Sequence, residues 1–328
     1  MEKLRWGFIG AGGIARRALY PALINSEFGE IYAVASRDAD RAKALSPSGL
    51  TYVDYNDLLA DPKVEAVYIS LPNSLHLPWA IKAMRAGKHV LCEKPLGMNA
   101  AEVREAVAVS VETGKLFMEA SWNRWHPRTQ RLKEIVASGE LGEITSIKTC
   151  FTYQGIDESD IRFVPELGGG MVYDLGPYSI VAPLWLTDLK EVSNITATPV
   201  WHHLGCDETA QVNFTIGGIS AETKVSCNIP NTHFFVVEGS KGSMRTGGND
   251  SFNSHNSAST LEIEVDGVSR IEDFVACDPY QLMADSFARK VRGLDAWIMP
   301  LDESIKFAEL FDSVFAVMGH PMETHNVN

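Results

Sequence analysis

The sequence predicts an α/β protein in two parts. A doubly wound parallel sheet is expected over residues 1–122. An α+β domain with a large, mainly antiparallel open sheet is expected over 123–328. Three observations predict this. Strand-like and helix-like segments alternate from Arg5 to Ala120, the pattern of βαβ units. The first apolar segment runs straight into a glycine turn, Gly10-Ala11-Gly12-Gly13-Ile14-Ala15. From Glu143 onward several segments alternate apolar and polar residues, as strands with one covered face do.

In chain order, Arg5–Ile9 reads as the first strand and Ile14–Leu23 as the helix after the glycine turn. Ile31–Ser36 is the second strand, and Asp38–Leu45 is a helix for which Asp38 is the cap. Ala66–Ser70 is a strand ending at Leu71-Pro72-Asn73. Leu77–Ala86 is a helix stopped by Gly87, and His89–Cys92 is a short strand ending at Glu93-Lys94-Pro95. Ala100–Thr113 is strongly periodic, and Leu116–Ala120 is a further strand. Arg128–Ser138 is an amphipathic helix ended by Gly139.

The strands of the second sheet are Ile144–Tyr153, Val192–Thr198, Ala210–Ile216, Ala221–Asn228 and Phe234–Glu238. Asp174–Trp185 reads as a helix among them, and Gly247–Ser259 as a mobile loop rich in Gly, Ser and Asn. Tyr280–Arg292 and Asp302–Val317 are closing helices, the last able to pack back on the first domain.

A net charge of -13 argues against a nucleic-acid partner, because no basic stripe exists to neutralise phosphates. It leaves room for an anionic cofactor held locally by backbone N–H groups and one or two arginines. No apolar run is long enough to span a bilayer, and Met1-Glu2-Lys3-Leu4-Arg5 does not open a secretion signal. The 5 cysteines are scattered and odd in number, which fits reduced thiols in a cytoplasmic protein.

The glycine turn matches G-x-G-x-x-G/A between a strand and a helix, the context that makes it a dinucleotide (Rossmann) fingerprint. Gly10 permits the tight turn. Gly12 lets the backbone approach a pyrophosphate, and Ala15 lets the helix pack on the strand. Gly10, Gly12, Gly13 and Ile14 are the residues expected at the cofactor. Cofactor choice is read at the end of the second strand, where an NAD enzyme usually carries an acid for the ribose hydroxyl. Ser36-Arg37 stands there instead, a hydroxyl and a guanidinium suited to a 2′-phosphate, and Arg41 can add to the patch. NADP is therefore expected over NAD. The opposing reading has Arg37 and Arg41 merely solvated and Asp38 on the ribose.

Lys94 follows a strand at the carboxyl edge of the predicted parallel sheet, the ligand side of such folds. Beside an oxidised nicotinamide its pKa should fall, which suits it to exchange a proton with a substrate hydroxyl. Glu93 is placed to anchor Lys94 or the cofactor. The other proton-handling stretch is Gly168-Gly169-Gly170-Met171-Val172-Tyr173-Asp174-Leu175-Gly176-Pro177-Tyr178. Asp174 and Tyr178 are four apart and share a face if the segment is helical. The plainer reading makes Asp174 a cap and Tyr178 a packing aromatic.

Leu71, Pro72, Asn73 and His76 are expected to line the cofactor crevice, with His76 open to a purely structural role. Trp122-Asn123-Arg124 marks the exit from the first domain, with Trp122 a candidate for substrate and Asn123 for cofactor. Arg162 is a further substrate candidate. His202-His203 suggests a metal, but no third ligand stands at a recognised spacing, so the pair is taken as structural and no metal is expected.

Together these pieces resemble the glucose–fructose oxidoreductase / inositol dehydrogenase (Gfo/Idh/MocA) family. The resemblance rests on the glycine turn, on Leu71-Pro72-Asn73 with His76, and on Ala86-Gly87-Lys88-His89-Val90 running into Glu93-Lys94-Pro95. It rests also on Gly168-Gly169-Gly170 with Asp174, Gly176 and Tyr178. Tyr178 stands where many members carry histidine. With Pro165-Glu166-Leu167, Asp207-Glu208-Thr209 and Ser36-Arg37, it looks like the branch of dihydrodiol dehydrogenase and NADP-linked xylose dehydrogenases. The resemblance implies a Lys94–Tyr178 pair at the reacting carbon, Asp174 helping to bind substrate, and a homodimer or homotetramer formed through the second sheet.

The reading is an NADP-dependent oxidoreductase moving a hydride to or from a hydroxyl-bearing carbon or carbonyl of a sugar, sugar derivative or cyclic diol. Whether Lys94 or Tyr178 is the direct acid/base stays open, because the two titrate as a coupled pair. The rivals are an NAD-dependent glycosidase of the same family and a non-catalytic NADP-binding regulator. Ser36-Arg37 counts against the first; the intact Lys94, Asp174 and Tyr178 count against the second.

Overall fold

The strands Leu4–Ile9 (β1), Gly29–Ala35 (β2), Thr51–Tyr52 (β3), Ala66–Ile69 (β4), His89–Cys92 (β5) and Phe117–Glu119 (β6) form one sheet, in the order β3-β2-β1-β4-β5-β6. Every pair in it is parallel. The computed structural model describes residues 2–248, 251–252 and 255–319. The order reverses between β1 and β4. Chains leaving those two strands diverge, which opens a crevice at their carboxyl ends. Strands β4, β5 and β6 are almost wholly buried and mostly apolar, with His89 part-exposed and Glu119 a buried acid, as a sheet covered on both faces favours.

The helices of this unit are Tyr20–Ile24 (α1), Ala39–Ala44 (α2), Tyr55–Ala60 (α3), His76–Arg85 (α4) and Ala100–Thr113 (α5). Asn99 caps α5 by accepting from Glu102 N–H at 2.9 Å, and Gly114 ends it in a left-handed conformation. The helix after the glycine turn is less regular than its sequence period suggests. Ala15–Leu19 is a π-helical stretch, with Tyr20 N–H donating back to Ala15 O. Pro21, which has no N–H to donate, follows directly. The short β3 and α3 were not anticipated, since two to six residues carry too little periodicity to read.

Two compact units divide the chain: residues of 1–126 with 277–305, and residues of 127–276 with the remainder. The first therefore extends past Trp122 and takes in a C-terminal stretch. The reason is packing. Helix α9, Pro279–Val291 once the second unit's helices are counted, brings Phe287 to 5.1 Å from Trp6 between ring centroids. Tyr280 stacks on Trp122 at 5.0 Å, and Arg292 pairs with Glu65 at 2.7 Å.

In the second unit the strands are Ile144–Gln154 (β7), Val192–Trp201 (β8), Asp207–Ile216 (β9), Ile219–Ser226 (β10), Asn228–Gly239 (β11), Gly242–Thr246 (β12), Ser259–Val265 (β13) and Val268–Phe274 (β14). Their order is β14-β13-β12-β11-β7-β10-β9-β8. Only β7 and β10 run parallel; the other neighbours are antiparallel. Alternate residues such as Ile147, Val212, Ala221, Phe235 and Val237 face the core.

Three strands, β12 to β14, were missed in the sequence, although a signal was present. Asp266-Gly267 joins β13 to β14 as a two-residue turn with φ of 49° and 78°, the Asp-Gly hairpin pattern. Of the loop expected over 247–259, residues 249–250 and 253–254 lie outside the described residues, and Ser259 opens β13.

The helices here are Pro127–Ser138 (α6), Met171–Asp174 (α7) and Ala182–Leu186 (α8). Leu301–Met318 (α10) begins in the first unit and continues into the second. The single helix expected over Asp174–Trp185 is broken into α7 and α8. Gly176-Pro177 interrupts it, since Pro177 has no N–H to give to the preceding turn. Tyr178 N–H consequently bonds Leu175 O at 3.0 Å, and Val181 N–H reaches back to Gly176 O at 3.1 Å. Asp174 and Tyr178 therefore do not stand on one continuous helical face. Among the described residues no helix is long and apolar enough to cross a membrane.

Candidate active site

The first unit gathers its expected site residues at the carboxyl ends of the parallel strands. Gly10 leaves β1 at φ 96°. A Cβ there would meet Leu71 Cδ2 at 3.1 Å and both the carbonyl and the hydroxyl of Ser70 at 3.2 Å. Gly10 is thus demanded by the protein itself. Gly12 differs: a Cβ there would meet only Ser70 O, at an ordinary 3.7 Å. Its bare face is open, which suits the close approach of a ligand phosphate to the backbone. Gly13 and Ile14 follow at the start of the helix.

At the end of β2, Ser36 is buried, and its hydroxyl accepts from Asp38 N–H at 3.2 Å. Its own O–H remains a donor. Arg37 is exposed. Asp38 caps α2, as expected, through bonds from Asp40 and Arg41 N–H, both at 3.0 Å. Its second oxygen pairs with Arg41 Nε at 3.2 Å. Arg41 is thereby turned onto its own helix cap, away from the free cationic patch its spacing suggested.

Loops after β4 and β5 are clamped by one histidine. His76 Nδ1 lies 2.8 Å from Pro95 O, and Nε2 lies 2.9 Å from Leu71 O. Burial, helped by the charge of Lys94, lowers its pKa to about 4 against the pull of those carbonyls. A neutral ring carries one N–H, so one carbonyl is bonded at a time. Both nitrogens face protein, so His76 holds the cofactor-side loops in place without lining the crevice itself. Leu71, Pro72 and Asn73 are partly exposed in front of it.

Glu93 is buried. It accepts from Tyr68 O–H at 2.6 Å and from the N–H of Lys94 at 3.3 Å. It therefore fixes the backbone from which Lys94 projects, at a cis Lys94–Pro95 bond. Glu119, at the end of β6, was not foreseen. Burial pushes its pKa up to about 7, while bonds from Ser304 and Ser121 and the charge of Lys94 oppose the rise. Trp122 is buried against Tyr280, which assigns it packing work first. Asn123 is buried too, and its Oδ1 has no hydrogen-bond partner among the described residues.

The second unit builds its own group around Asp174. Arg162 Nε donates to Asp174 Oδ2 at 2.7 Å, and Tyr153 O–H donates to the same oxygen at 2.8 Å. The carboxylate raises the Arg162 pKa further; burial and the same carboxylate hold the Tyr153 phenol protonated. Tyr153 was missed because it lies near the end of β7, where an aromatic residue reads as part of the strand's packing. Tyr178 is buried among aromatics, 5.5 Å from Phe151 between centroids.

Gly170 has φ 110°, and a Cβ there would collide with Asp207 Oδ1. Asp207 Oδ2 accepts from Val172 N–H at 2.8 Å, so a buried carboxylate pins the glycine turn ahead of α7. Burial pushes its pKa up to about 7, against bonds from the Val172 and Met171 N–H groups. Glu158, finally, lies beside His202 and His203, a third candidate ligand that no sequence spacing revealed.

A 3-2-1-4-5-6 parallel sheet with an open glycine turn and a lysine at its carboxyl edge defines a nicotinamide-dinucleotide oxidoreductase with an appended α+β domain. The comparisons agree. Residues 4–121 match the model of the oxidoreductase family with NAD-binding Rossmann fold, and residues 129–245 match the GFO/IDH/MocA C-terminal domain. The chain belongs to the Gfo/Idh/MocA family of oxidoreductases.

It is 33% identical over 320 residues to the D-xylose 1-dehydrogenase (NADP(+)) 2 of Haloferax volcanii, covering 95% of this chain and 96% of that one. It is 35% identical over 253 residues to the trans-1,2-dihydrobenzene-1,2-diol dehydrogenase of Mus musculus, covering 73% of each. The crystal structure of a 3-ketoreductase from Actinomadura kijaniata, in complex with NADP and TDP-benzene, superposes with a TM-score of 0.90 at 29% identity. That match covers 96% of this chain and 98% of that one.

Proposed function

We propose that the protein is an NADP-dependent oxidoreductase that interconverts a hydroxyl and a carbonyl on a sugar, sugar derivative or cyclic diol. The observation that carries the reading is Lys94, held by buried Glu93 at the carboxyl edge of the dinucleotide sheet. Relatives named for NADP, for xylose and for a dihydrodiol support the substrate class and the cofactor.

The residues present fit the cofactor. Gly12 leaves a face open to phosphate, and Asn123 Oδ1 is a buried acceptor without a partner among the described residues, suited to an N–H donor on a ligand. Ser36 O–H and the Arg37 guanidinium are the groups for a 2′-phosphate. The acid nearest them, Asp38, is already engaged by its helix and by Arg41, which supports NADP over NAD. NADP, when bound, supplies the hydride acceptor or donor.

The chain's own residues handle the proton and the grip. Lys94 and Tyr178 exchange a proton with the reacting oxygen. Asp174, paired with Arg162, accepts from a substrate hydroxyl, and Tyr153 keeps the carboxylate oriented. Arg162 acts behind this contact through charge, while Trp122 packs within its own unit. Self-association through the second sheet belongs to the same reading, with light scattering as its check.

The test is a panel of aldoses, polyols and cyclic diols offered with NADP+ and with NAD+, followed by absorbance of the reduced nicotinamide. Turnover of at least one compound with NADP+ is expected. Hydrolysis of a glycoside without net cofactor reduction would replace this reading with the glycosidase one.

A further inference from the structure

We propose that Glu158, His202 and His203 form a surface site for a divalent transition-metal ion of the zinc class. All three belong to the second unit, and one ligand atom from each lies within 4.8 Å of the others. His202 and His203 sit in the turn between β8 and β9. That turn is closed by His202 N–H on Cys206 O at 2.8 Å and Gly205 N–H on His202 O at 2.9 Å. Glu158 comes from a turn closed by Asp160 N–H on Asp157 O at 2.9 Å. The ring of Phe163 lies 4.3 Å from that of His202, which fastens the two segments side by side.

The geometry is near what a metal needs. His202 Nε2 is 3.5 Å from Glu158 Oε1, and His203 Nε2 is 3.9 Å from Glu158 Oε2. Tetrahedral zinc with bonds of about 2.0–2.1 Å holds its ligand atoms roughly 3.3 Å apart. The ligand atoms lie within 4.8 Å of one another, and drawing them to the zinc spacing falls to His203 and Glu158, whose side chains are each 64% exposed and can rotate. His202, at 11% exposed and packed against the Phe163 ring, is the fixed member.

Two imidazoles and one carboxylate favour zinc, cobalt, nickel or copper over magnesium or calcium. Three protein ligands leave at least one position for water or an exogenous ligand.

One local rearrangement follows. Leu204 N–H now makes a long 3.3 Å contact to His202 Nδ1, which places the ring proton on Nε2 facing Glu158. Metal on Nε2 requires the other tautomer and gives up that contact. The gain is a brace. The turn around Glu158 leads to Arg162, which holds Asp174; the turn around His203 leads to Asp207, which holds the Val172 N–H. An ion there ties the two segments that frame the Asp174 group.

Equilibrium dialysis of the untagged, full-length chain against zinc chloride at neutral pH tests the site directly, with thermal unfolding read in parallel. The wild type should bind one equivalent, with its unfolding midpoint raised by zinc. His203→Ala and Glu158→Gln should each weaken that binding at least tenfold and abolish the zinc-dependent rise. Both side chains are largely exposed, so unchanged midpoints without zinc serve as the folding check. Absence of a saturable equivalent in the wild type overturns the proposal. Equal binding in both variants also overturns it, by placing the ion elsewhere. Neither readout involves turnover, so the outcome is separate from the fate of the oxidoreductase reading.

Discussion

Arg162 donates through Nε to Asp174 Oδ2 at 2.7 Å, with Tyr153 O–H on the same oxygen. Two residues expected to meet substrate separately therefore act as one unit, with the arginine behind the carboxylate. Arg162→Ala should raise KM for the sugar or diol about 10- to 100-fold, the range of a lost bond to a charged group. The Kd for NADPH, measured by fluorescence, should stay where it was. Equal losses in both constants would remove Arg162 from the substrate half.

Lys94→Ala and Tyr178→Phe should each reduce kcat by about a hundredfold or more, as loss of an acid/base group does, while NADPH still binds. On the proposed shared proton, the double variant should lose little beyond the worse single one. Wild-type rates in both single variants would end the assignment.

Arg37→Ala should weaken NADPH binding at least tenfold and leave NADH binding nearly unchanged, since only the former carries the 2′-phosphate. Arg41→Ala should do much less, because that guanidinium is engaged by Asp38. A parallel loss for both cofactors at Arg37 would mean the phosphate is read elsewhere.

Glu119 provides a pH test. Burial lifts its pKa to about 7, above the ordinary value of 4.5. Between those values the folded chain holds a proton that the unfolded chain releases. Its contribution to stability is therefore full below about 4.5 and is lost as pH rises towards 7. Glu119→Gln should remove that loss, so urea midpoints of the variant should fall less than those of the wild type over this window. Parallel curves would show that Glu119 does not titrate there.

Gly170→Ala should destabilise the fold by about 1–3 kcal/mol, because φ 110° is strained for any residue with a Cβ and the added carbon strikes Asp207. Chemical denaturation measures it. A neutral result would mean that the Asp207 cap yields freely.

Much of the first unit was legible because its signals are local. Ala100–Thr113 and His89–Cys92 match the structure to the residue, since a capped helix and a buried strand are each encoded by their own period and ends. The break at Gly176-Pro177 was legible in principle but was outweighed by the apolar run around it. The pairing of Arg41 with Asp38 and the double role of His76 were not legible, because rotamers and carbonyl partners leave no periodic trace.

By itself the sequence determined the parallel sheet, the dinucleotide turn and the family, since strand period, glycine placement and short motifs depend on neighbours along the chain. The tertiary structure alone decided which side chains are already engaged. Glu93 is held by Tyr68, Asp174 by Arg162 and Tyr153, and the glycine turn by Asp207. It also brought Glu158 to His202 and His203. These partners stand far apart in sequence, and hydrogen bonds and charges act through space, so only the folded chain shows what each group has left to offer.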